Sequence, residues 1–347
     1  MGLKILHSAD WHLGAPLLGF TPEQRAFLKR ELDKIPGKVA DICCREGCDL
    51  VLLAGDLLDH PRVTGGLDGL KAALADCGVP VLIAPGNHDY LMPGSVWLEE
   101  RWPENVYIFR GGLESVVLEA LNCRVYGAGY TAMDCPGLLE GFQAEGGERY
   151  CMAVLHGDPV QLKSPYCPVT ASQVRDSGLD YLALGHIHKR GAFVSGGTVC
   201  GWPGSPMGRG WDETGEKGVY LAELGDRAEV RFLPLDTPKF WEMAFDSISA
   251  LEDALDPRGN LDFYRITLTG IGGEPVQHLY EKYPNMTIRD RRKSKADLWE
   301  TAGEDTLAGT FFRILQAQKA DPQMESRADL TAEIARKLLA GEEVALP

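Results

Sequence analysis

Five short motifs in the first two thirds of the chain carry residue types that bind metal ions. They read Asp10-Trp11-His12, Gly55-Asp56, Gly86-Asn87-His88-Asp89, His156-Gly157-Asp158 and Gly185-His186-Ile187-His188. Imidazole and carboxylate ligands suit Mn, Fe, Zn or Ni better than Ca, and Asn87 adds a neutral carbonyl oxygen. Asp56 carries two oxygens and could bridge two ions. The motifs therefore predict a centre for two divalent cations.

Each motif stands at the end of an apolar run that is typical of a buried strand. The runs are Leu3–Leu6, Asp49–Ala54, Val79–Ala84, Tyr150–Leu155 and Tyr181–Leu184. Residues two apart in an extended segment project to the same side, which places Asp10 with His12 and His186 with His188. Ligands gather at the carboxyl ends of strands in α/β sheets, so we expect the five motifs to meet at one place.

Each motif has an ordinary structural explanation when it is taken alone. An Asp-x-His pair often arises by chance, and a Gly-Asp pair after a strand is often only a turn. A single histidine such as His156 is usually hydrogen bonded within the core. All five motifs in order, each at a strand end, are hard to attribute to turns. His7 is expected to be structural, and Asp59 and Asp89 are expected to support ligands rather than to bind metal.

The elements that position these motifs predict an α/β fold, a layered β-sandwich flanked by helices. Apolar strand patterns alternate with helical ones, such as Pro22–Glu46, in which Pro36-Gly37 is a candidate break. After Pro234 a small α+β pattern begins, and from Glu304 the chain is helical. We therefore predict a main domain at 1–236, a small α+β domain at 237–300 and a C-terminal helical segment at 301–347.

Composition narrows the class of protein. The 347 residues are 44% hydrophobic and 24% charged, which is ordinary for a globular protein of about two domains. The net charge of −15 argues against coating nucleic acid by charge alone, but not against handling phosphate through bound metal. Nine cysteines without a Cys-x-x-Cys pair favour a reducing, cytoplasmic location. No apolar stretch approaches the roughly 18 residues of a membrane span, so no membrane partner is predicted.

The combined motif set resembles the calcineurin-like metallophosphoesterase superfamily. Within that superfamily it is similar to the SbcD-type DNA repair exonucleases, the nuclease subunits that work with an SMC-like ATPase. The motifs that carry the resemblance are HSADWHLG, GDLLDH, PGNHD, LHG, LGHIH and WPGSP. They extend from Leu3 to Pro206, and the looser match beyond that would correspond to the family's capping domain.

The resemblance implies a role for each motif residue. One metal ion would be held by Asp10, His12, Asp56 and His188. A second would be held by Asp56, Asn87, His156 and His186, with Asp56 as the bridge. His88 would be catalytic, and Asp89 would orient it. The family's preferred ion, Mn²⁺, is the expected cofactor.

The function that the resemblance implies is hydrolysis of DNA phosphodiesters from an end, with 3′-to-5′ polarity. Two metal ions would lower the pKa of a shared water for in-line attack on phosphorus. Two alternatives remain open at this point. One is a phosphoesterase that acts on a nucleotide, a phosphoprotein or another small phosphoester. The other is a non-catalytic scaffold that binds DNA or an ATPase.

The contacts with partners are expected in the second half of the chain. A basic cluster of Arg289, Arg291, Arg292, Lys293 and Lys295 is a candidate phosphate clamp for DNA, or else a solvated loop. The C-terminal helices correspond in position to the family's ATPase-binding segment, but they could equally pack on their own domain. By resemblance, a homodimer is a further candidate assembly.

Overall fold

The computed structural model describes residues 2–62, 65–255, 261–294 and 299–339. The chain divides into two compact units, Met1–Lys239 and Phe240–Pro347. The predicted further division of the second unit at residue 300 stays a prediction. No helix among the described residues is long and apolar enough to cross a membrane.

The described part of the first unit contains two six-stranded sheets. The first sheet has the spatial order β12 (Ala228–Pro234), β11 (Gly218–Leu224), β1 (Leu3–Ser8), β2 (Leu50–Leu53), β3 (Val81–Ile83) and β4 (Val106–Ile108). Strands β1 to β4 are parallel, and β11 and β12 continue the sheet in antiparallel pairing. The carboxyl ends of β1, β2 and β3 therefore lie at one edge of this sheet.

The second sheet repeats this plan. Its spatial order is β5 (Glu114–Leu118), β6 (Cys123–Gly127), β7 (Tyr150–His156), β8 (Tyr181–Gly185), β10 (Thr198–Trp202) and β9 (Gly191–Ser195). Strands β6, β7, β8 and β10 are parallel, and the two outer strands are antiparallel to their neighbours. The carboxyl ends of β7 and β8 therefore also share one edge.

The two sheets pack face to face, because alternate side chains of each strand are apolar and buried. Ile5 and Leu52 of the first sheet belong to the same core as Met152, Val154 and Ala183 of the second. This core confirms the predicted layered sandwich. Helices flank the sheets: α1 (Pro22–Leu32), α2 (Ile35–Glu46), α3 (Leu67–Asp76), α4 (Val96–Glu99) and α5 (Ala171–Asp176).

The predicted helical run at 22–46 is two helices, and the break comes before Pro36 rather than at it. Helix α1 begins with a capping box between Thr21 and Gln24 and ends at Leu32. Pro36 lies in the first turn of α2, where a missing N–H removes no intrahelical hydrogen bond. Strand β12 and helix α5 were not predicted. The Thr170–Gln173 capping box is the sequence signal that marks the start of α5.

The second unit has a small parallel sheet of β13 (Phe240–Phe245), β14 (Phe263–Leu268) and β16 (Met286–Asp290). Helices α6 (Ile248–Ala254) and α7 (Gln277–Lys282) pack on it through Leu251 and Leu279, and β15 (Ile271–Gly272) pairs with β17 (Lys293–Ser294). Helices α8 (Leu307–Gln318) and α9 (Glu325–Leu339) follow. They share a separate apolar cluster with Trp299.

Candidate metal centre

The five motifs meet in the first unit. Asp10 and His12 follow β1, Asp56 follows β2, Asn87 and His88 follow β3, His156 ends β7, and His186 and His188 follow β8. Among the described residues, six of these side chains form three groups in which the candidate ligand atoms all lie within 4.8 Å of one another. These groups are Asp10 with His12 and His188, His12 with Asp56 and His88, and Asp10 with Asp56 and His156. Both sheets therefore contribute candidate ligands to one site.

Asp56 lies at the centre of the cluster. Its Oδ2 atom is 3.7 Å from Nε2 of His12 and 3.4 Å from Nε2 of His156. Its Oδ1 atom accepts a hydrogen bond of 2.8 Å from the backbone N–H of His88. One carboxylate thus faces imidazoles from both halves of the site, which is the placement that a bridging ligand requires.

The remaining ligand atoms fall on either side of Asp56. On one side, Nε2 of His12 and Nε2 of His188 are 3.3 Å apart. On the other side, Oδ1 of Asn87 is 2.9 Å from Nε2 of His156 and 3.2 Å from Nδ1 of His186. Nitrogen and oxygen donors converging in two neighbouring groups fit a pair of first-row divalent cations.

Four of these residues have backbone angles that side chains rarely adopt. The φ angles are 57° at Asp10, 49° at His12, 52° at Asp56 and 90° at His186. A non-glycine residue in this region is uncommon, and such strain persists only where the surrounding structure imposes it. Its concentration at the strand ends that carry the ligands indicates that ligand placement, rather than backbone preference, determines these turns.

At Gly86 the loop that follows β3 packs closely against Asp56 and His156. A Cβ atom at this position would overlap Oδ1 of Asp56 and lie 2.8 Å from Cγ of His156. Both neighbours are buried and cannot move aside. Glycine at the start of the Gly-Asn-His-Asp motif is therefore required by space.

Hydrogen bonds behind the imidazoles select which ring nitrogen faces the site. Nδ1 of His12 is 3.0 Å from Oδ1 of Asp59, and Nδ1 of His188 is 2.8 Å from Oε1 of Glu213. Nδ1 of His156 donates to the carbonyl of Ala54 at 2.8 Å. Each contact places Nδ1 away from the cluster, so that Nε2 is the ring nitrogen that faces it, as in metal-binding histidines generally.

The predicted role of Asp89 requires correction. Its carboxylate is buried and accepts hydrogen bonds from four backbone amides, those of Asp56, Leu57, Leu58 and Gly86. Asp89 therefore ties the β2 loop to the β3 loop. The carboxylate beside the His88 ring is that of Asp59, with Oδ1 at 3.7 Å from Nδ1. Adjacency in sequence suggested Asp89, but its side chain points back into the loops.

Asp56 and His156 favour each other's charged form. Burial by itself would raise the pKa of Asp56, but the facing imidazoles of His156 and His12 hold that pKa below its usual range. Burial likewise opposes a charge on His156, but Asp56 raises the pKa of His156 to about 9. Burial, reinforced by His156, lowers the pKa of His186 to about 4. A buried carboxylate that keeps its charge is the form that binds a cation.

Two supporting residues were missed by sequence reasoning, Glu213 and Arg209. Both lie in the irregular segment between β10 and β11, where no hydrophobic period marks them. Glu213 is 25 residues beyond the histidine that it contacts. Burial raises the pKa of Glu213, but His188 and Arg209 together hold it below its usual range. The only available signal was their place just beyond the WPGSP motif.

The predicted basic cluster is only partly available to a ligand. Arg289, Arg291 and Lys293 are exposed. The Arg292 side chain is 5% exposed and pairs with Asp290 at 2.8 Å and with Glu274 at 3.1 Å. Arg292 as a phosphate contact is therefore corrected, because its charge is already matched within the unit. Lys295 lies outside the described residues.

Comparison with known proteins identifies the family. The profile of the calcineurin-like phosphoesterase family matches residues 3–190. The chain therefore belongs to this family of hydrolases, which use divalent metal ions, and the predicted superfamily is confirmed.

Individual relatives divide between an uncharacterised protein and nucleases. The chain is 34% identical over 244 residues to the uncharacterized metallophosphoesterase YhaO of Bacillus subtilis, covering 64% of this chain and 57% of that one. It is 40% identical over 91 residues to the DNA double-strand break repair protein Mre11 of Aeropyrum pernix, covering 25% and 21% of the two chains. It is 21% identical over 333 residues to a subunit of the nuclease SbcCD of Staphylococcus epidermidis, covering 82% and 84%. The chain thus spans little more than half of YhaO and about a fifth of Mre11.

Proposed function

We propose that this protein is a DNA exonuclease of the SbcD type that uses two divalent metal ions, Mn²⁺ by preference, in DNA repair. The observation that carries the proposal is Asp56, whose carboxylate lies between imidazoles on both sides of the cluster. The match to a nuclease subunit along most of both chains supports DNA as the substrate. The free state of all nine cysteines, each within the described residues, supports a reducing cytoplasm.

The two ions would be held by the two sets of residues that the resemblance implies. Asp10, His12, Asp56 and His188 would hold one, and Asp56, Asn87, His156 and His186 the other. Two bound ions would offset charge on the phosphodiester oxygens and lower the pKa of an attacking water. The protein's contribution is to fix these donors: His12 is held by Asp59, His188 by Glu213 and His156 by the Ala54 carbonyl.

His88 is suited to a different role. Its side chain is 44% exposed, whereas His12 beside it is 1% exposed, and the two ring centroids are 4.6 Å apart. The contact with Asp59 uses Nδ1 of His88, so Nε2 is the atom available to give a proton to the departing sugar oxygen. General-acid catalysis of this kind contributes about 10²–10⁴ in rate.

The proposal is tested on end-labelled duplex and hairpin DNA with and without Mn²⁺. We expect Mn²⁺-dependent release of nucleotides from one end by the wild-type chain. His88→Asn should keep metal binding, measured by calorimetry, and lose about 10²–10⁴ in turnover. Full activity of His88→Asn would refute its catalytic role. Arg175→Gln, an exposed residue on α5 paired with Asp176, is the control.

Two rival functions give different results in the same assays. A phosphoesterase for small substrates would cleave bis(p-nitrophenyl) phosphate or a cyclic nucleotide while leaving DNA ends intact. A non-catalytic scaffold would bind no ion at saturating Mn²⁺. The complete donor set favours an enzyme, because a protein that only binds DNA or an ATPase does not require a buried carboxylate that faces several histidines.

An exposed apolar groove supports an ATPase partner. Helices α8 and α9 form a groove of about 670 Å³ lined by Leu307, Ala308, Thr310, Phe311, Ile314, Ala335, Leu338 and Leu339. Leu307 is 90% exposed, and Leu338 is 63% exposed. The buried face of α8, with Phe312 and Leu315, already packs within the unit. We propose that the opposite face receives a helix of an SMC-like ATPase; a homodimer stays a prediction.

The groove is tested by co-expression and co-purification with an SMC-like coiled-coil ATPase. Ile314→Asp and Leu338→Asp should abolish co-purification, since each places a charge in the apolar groove. Thr331→Asp, on α9 but outside the lining, is the control. Retention of the partner by both groove variants would contradict this surface.

A further inference from the structure

The guanidinium of Arg209 lies between two carboxylates that support histidines of the metal centre. Its Nη2 donates to Oε1 of Glu213 at 2.7 Å, and its Nη1 is 3.8 Å from Oδ1 of Asp59. The side chain is 17% exposed, and Glu213 is 5% exposed. Arg209 therefore joins two acidic groups that stand behind different ligands.

Glu213 is held firmly enough to transmit this contact. Its Oε1 atom accepts from Nδ1 of His188 at 2.8 Å as well as from Arg209. Its Oε2 atom accepts from the backbone N–H of Arg209 at 3.1 Å and from the hydroxyl of Ser205 at 3.2 Å. Both oxygens are occupied, so the carboxylate cannot rotate without breaking several hydrogen bonds.

Asp59 occupies the corresponding position on the other side. Its Oδ1 atom is 3.0 Å from Nδ1 of His12 and 3.7 Å from Nδ1 of His88. The contacts therefore run from His188 to Arg209, both directly with Nη2 at 3.0 Å from Nδ1 and through Glu213, and then through Asp59 to His12. The two histidines at the ends of this path face each other, with their Nε2 atoms 3.3 Å apart.

Arg209 uses its hydrogen-bond donors differently from an arginine that pairs with a single carboxylate. Its Nε atom is buried and has no hydrogen-bond partner among the described residues, and such an unmet donor lowers stability. Arg124 provides the contrast. Its Nε and Nη2 both donate to Glu148, at 3.0 and 2.8 Å. The planar guanidinium of Arg209 instead spans two carboxylates with a rigid fork of donors, whereas the ammonium of a lysine is a point charge on a flexible stem that fixes their separation less well.

We propose that Arg209 is a positioning residue that sets the separation of His12 and His188 by linking Glu213 to Asp59. The inference rests on the proposed metal centre, because the separation matters only if the two imidazoles share an ion. Without Arg209, Glu213 and Asp59 would each keep a histidine neighbour, but nothing in this path would fix the distance between them. The ion at this half of the site would then be bound in a looser geometry.

The test uses the full chain and Co²⁺ or Mn²⁺ alone as the probe, so that no substrate is needed. Wild type, Arg209→Gln, Arg209→Lys and Arg124→Gln are titrated with Co²⁺ while the visible absorption bands are recorded, and with Mn²⁺ by calorimetry. We expect Arg209→Gln and Arg209→Lys to weaken one of two binding events about 10–100-fold and to shift the cobalt bands. Arg124→Gln should bind both ions as wild type does.

Two further measurements separate positioning from general structural damage. The metal-free thermal midpoint of Arg209→Gln should stay close to that of Arg124→Gln. The effects of Arg209→Gln and Asp59→Asn on metal affinity should be non-additive, because both break one path. Wild-type cobalt bands and affinity in Arg209→Gln would overturn the proposal. A wild-type chain that binds neither ion would instead refute the metal centre itself. If Arg209→Gln does not fold, Arg209→Lys carries the same comparison.

Discussion

At the scale of single residues, the centre depends on unfavourable local conformations that the surrounding fold enforces. Asp10, His12 and Asp56 have positive φ angles, and Gly86 leaves just enough space for Asp56 and His156. None of these features would be retained by backbone preference alone, since strained residues cost of order 1–3 kcal/mol each. Ligand geometry is therefore sensitive to changes of a single methyl group.

Gly86→Ala tests this sensitivity. The added Cβ would overlap Oδ1 of Asp56, so we expect a loss of about 1–3 kcal/mol in stability together with weaker Mn²⁺ binding. Gly37→Ala is the matched control, because a Cβ there meets nothing within 4 Å and lies in α2. It should raise stability by about 0.4–1 kcal/mol. Thermal unfolding measures the stability of both variants, and calorimetry measures their binding of Mn²⁺. Wild-type stability and Mn²⁺ binding in Gly86→Ala would contradict the close approach at Gly86.

At the scale of elements, the strands of the two sheets are joined by a buried histidine next to the site. His7 of β1 accepts from the Tyr181 hydroxyl at 2.7 Å through Nδ1 and donates to the Leu184 carbonyl at 3.0 Å through Nε2, both in β8. His7 and Ile5 are two residues apart in β1, so their side chains lie on the same face of the strand. These bonds fix how β1 and β8 sit across the sandwich, and the loops that follow the two strands carry Asp10 and His186.

His7 makes stability depend on pH. Burial, partly opposed by the Leu184 hydrogen bond, lowers the pKa of His7 to about 3 from 6.5. Below pH 6.5 the unfolded chain takes up a proton that the folded chain refuses. The free energy of unfolding should therefore fall by about 1.4 kcal/mol per pH unit from this group as pH drops from 6.5 towards 3.

The variant His7→Gln isolates this effect. The free energy of unfolding of His7→Gln, measured with denaturant, should differ less from that of wild type as pH falls from 7.5 to 5. The reason is that glutamine takes up no proton in the unfolded chain. His278→Gln, the same substitution at an exposed histidine of the second unit, is the control variant. If the free energies of unfolding of wild type and His7→Gln change in parallel with pH, His7 is not the source of the pH dependence.

At the scale of the whole molecule, a net charge of −15 has to be reconciled with DNA as the proposed substrate. The bound cations would provide positive potential locally, and the second unit offers Arg289, Arg291 and Lys293 on its surface. Arg292 adds nothing, because Asp290 and Glu274 already match its charge. DNA binding by this chain alone should therefore be weak and strongly dependent on salt.

Charge reversal tests the exposed cations. Arg289→Glu combined with Arg291→Glu should weaken duplex binding and reduce the slope of log Kd against log salt by about 2, one unit for each phosphate that is no longer neutralised. Arg265→Glu combined with Arg175→Glu changes the total charge by the same amount at two exposed arginines that are already paired, with Glu242 and with Asp176, and is the control. Equal slopes for the double variant and the control would identify the cluster as a solvated surface.

The sequence by itself determined the candidate ligands and the class of fold. Metal-binding residue types after successive apolar runs indicated both the ligands and a layered α/β architecture, because strand periodicity and side-chain chemistry are local properties. The small α+β pattern of the second unit was predictable for the same reason.

Only the tertiary structure decided how the ligands are supported. Asp59 rather than Asp89 lies beside His88, and Glu213 and Arg209 contact His188. Arg292 is already paired with Glu274. All of these features depend on contacts between residues that are far apart in sequence. Such contacts follow from how the two sheets and their loops pack, and no spacing or period in the chain encodes them.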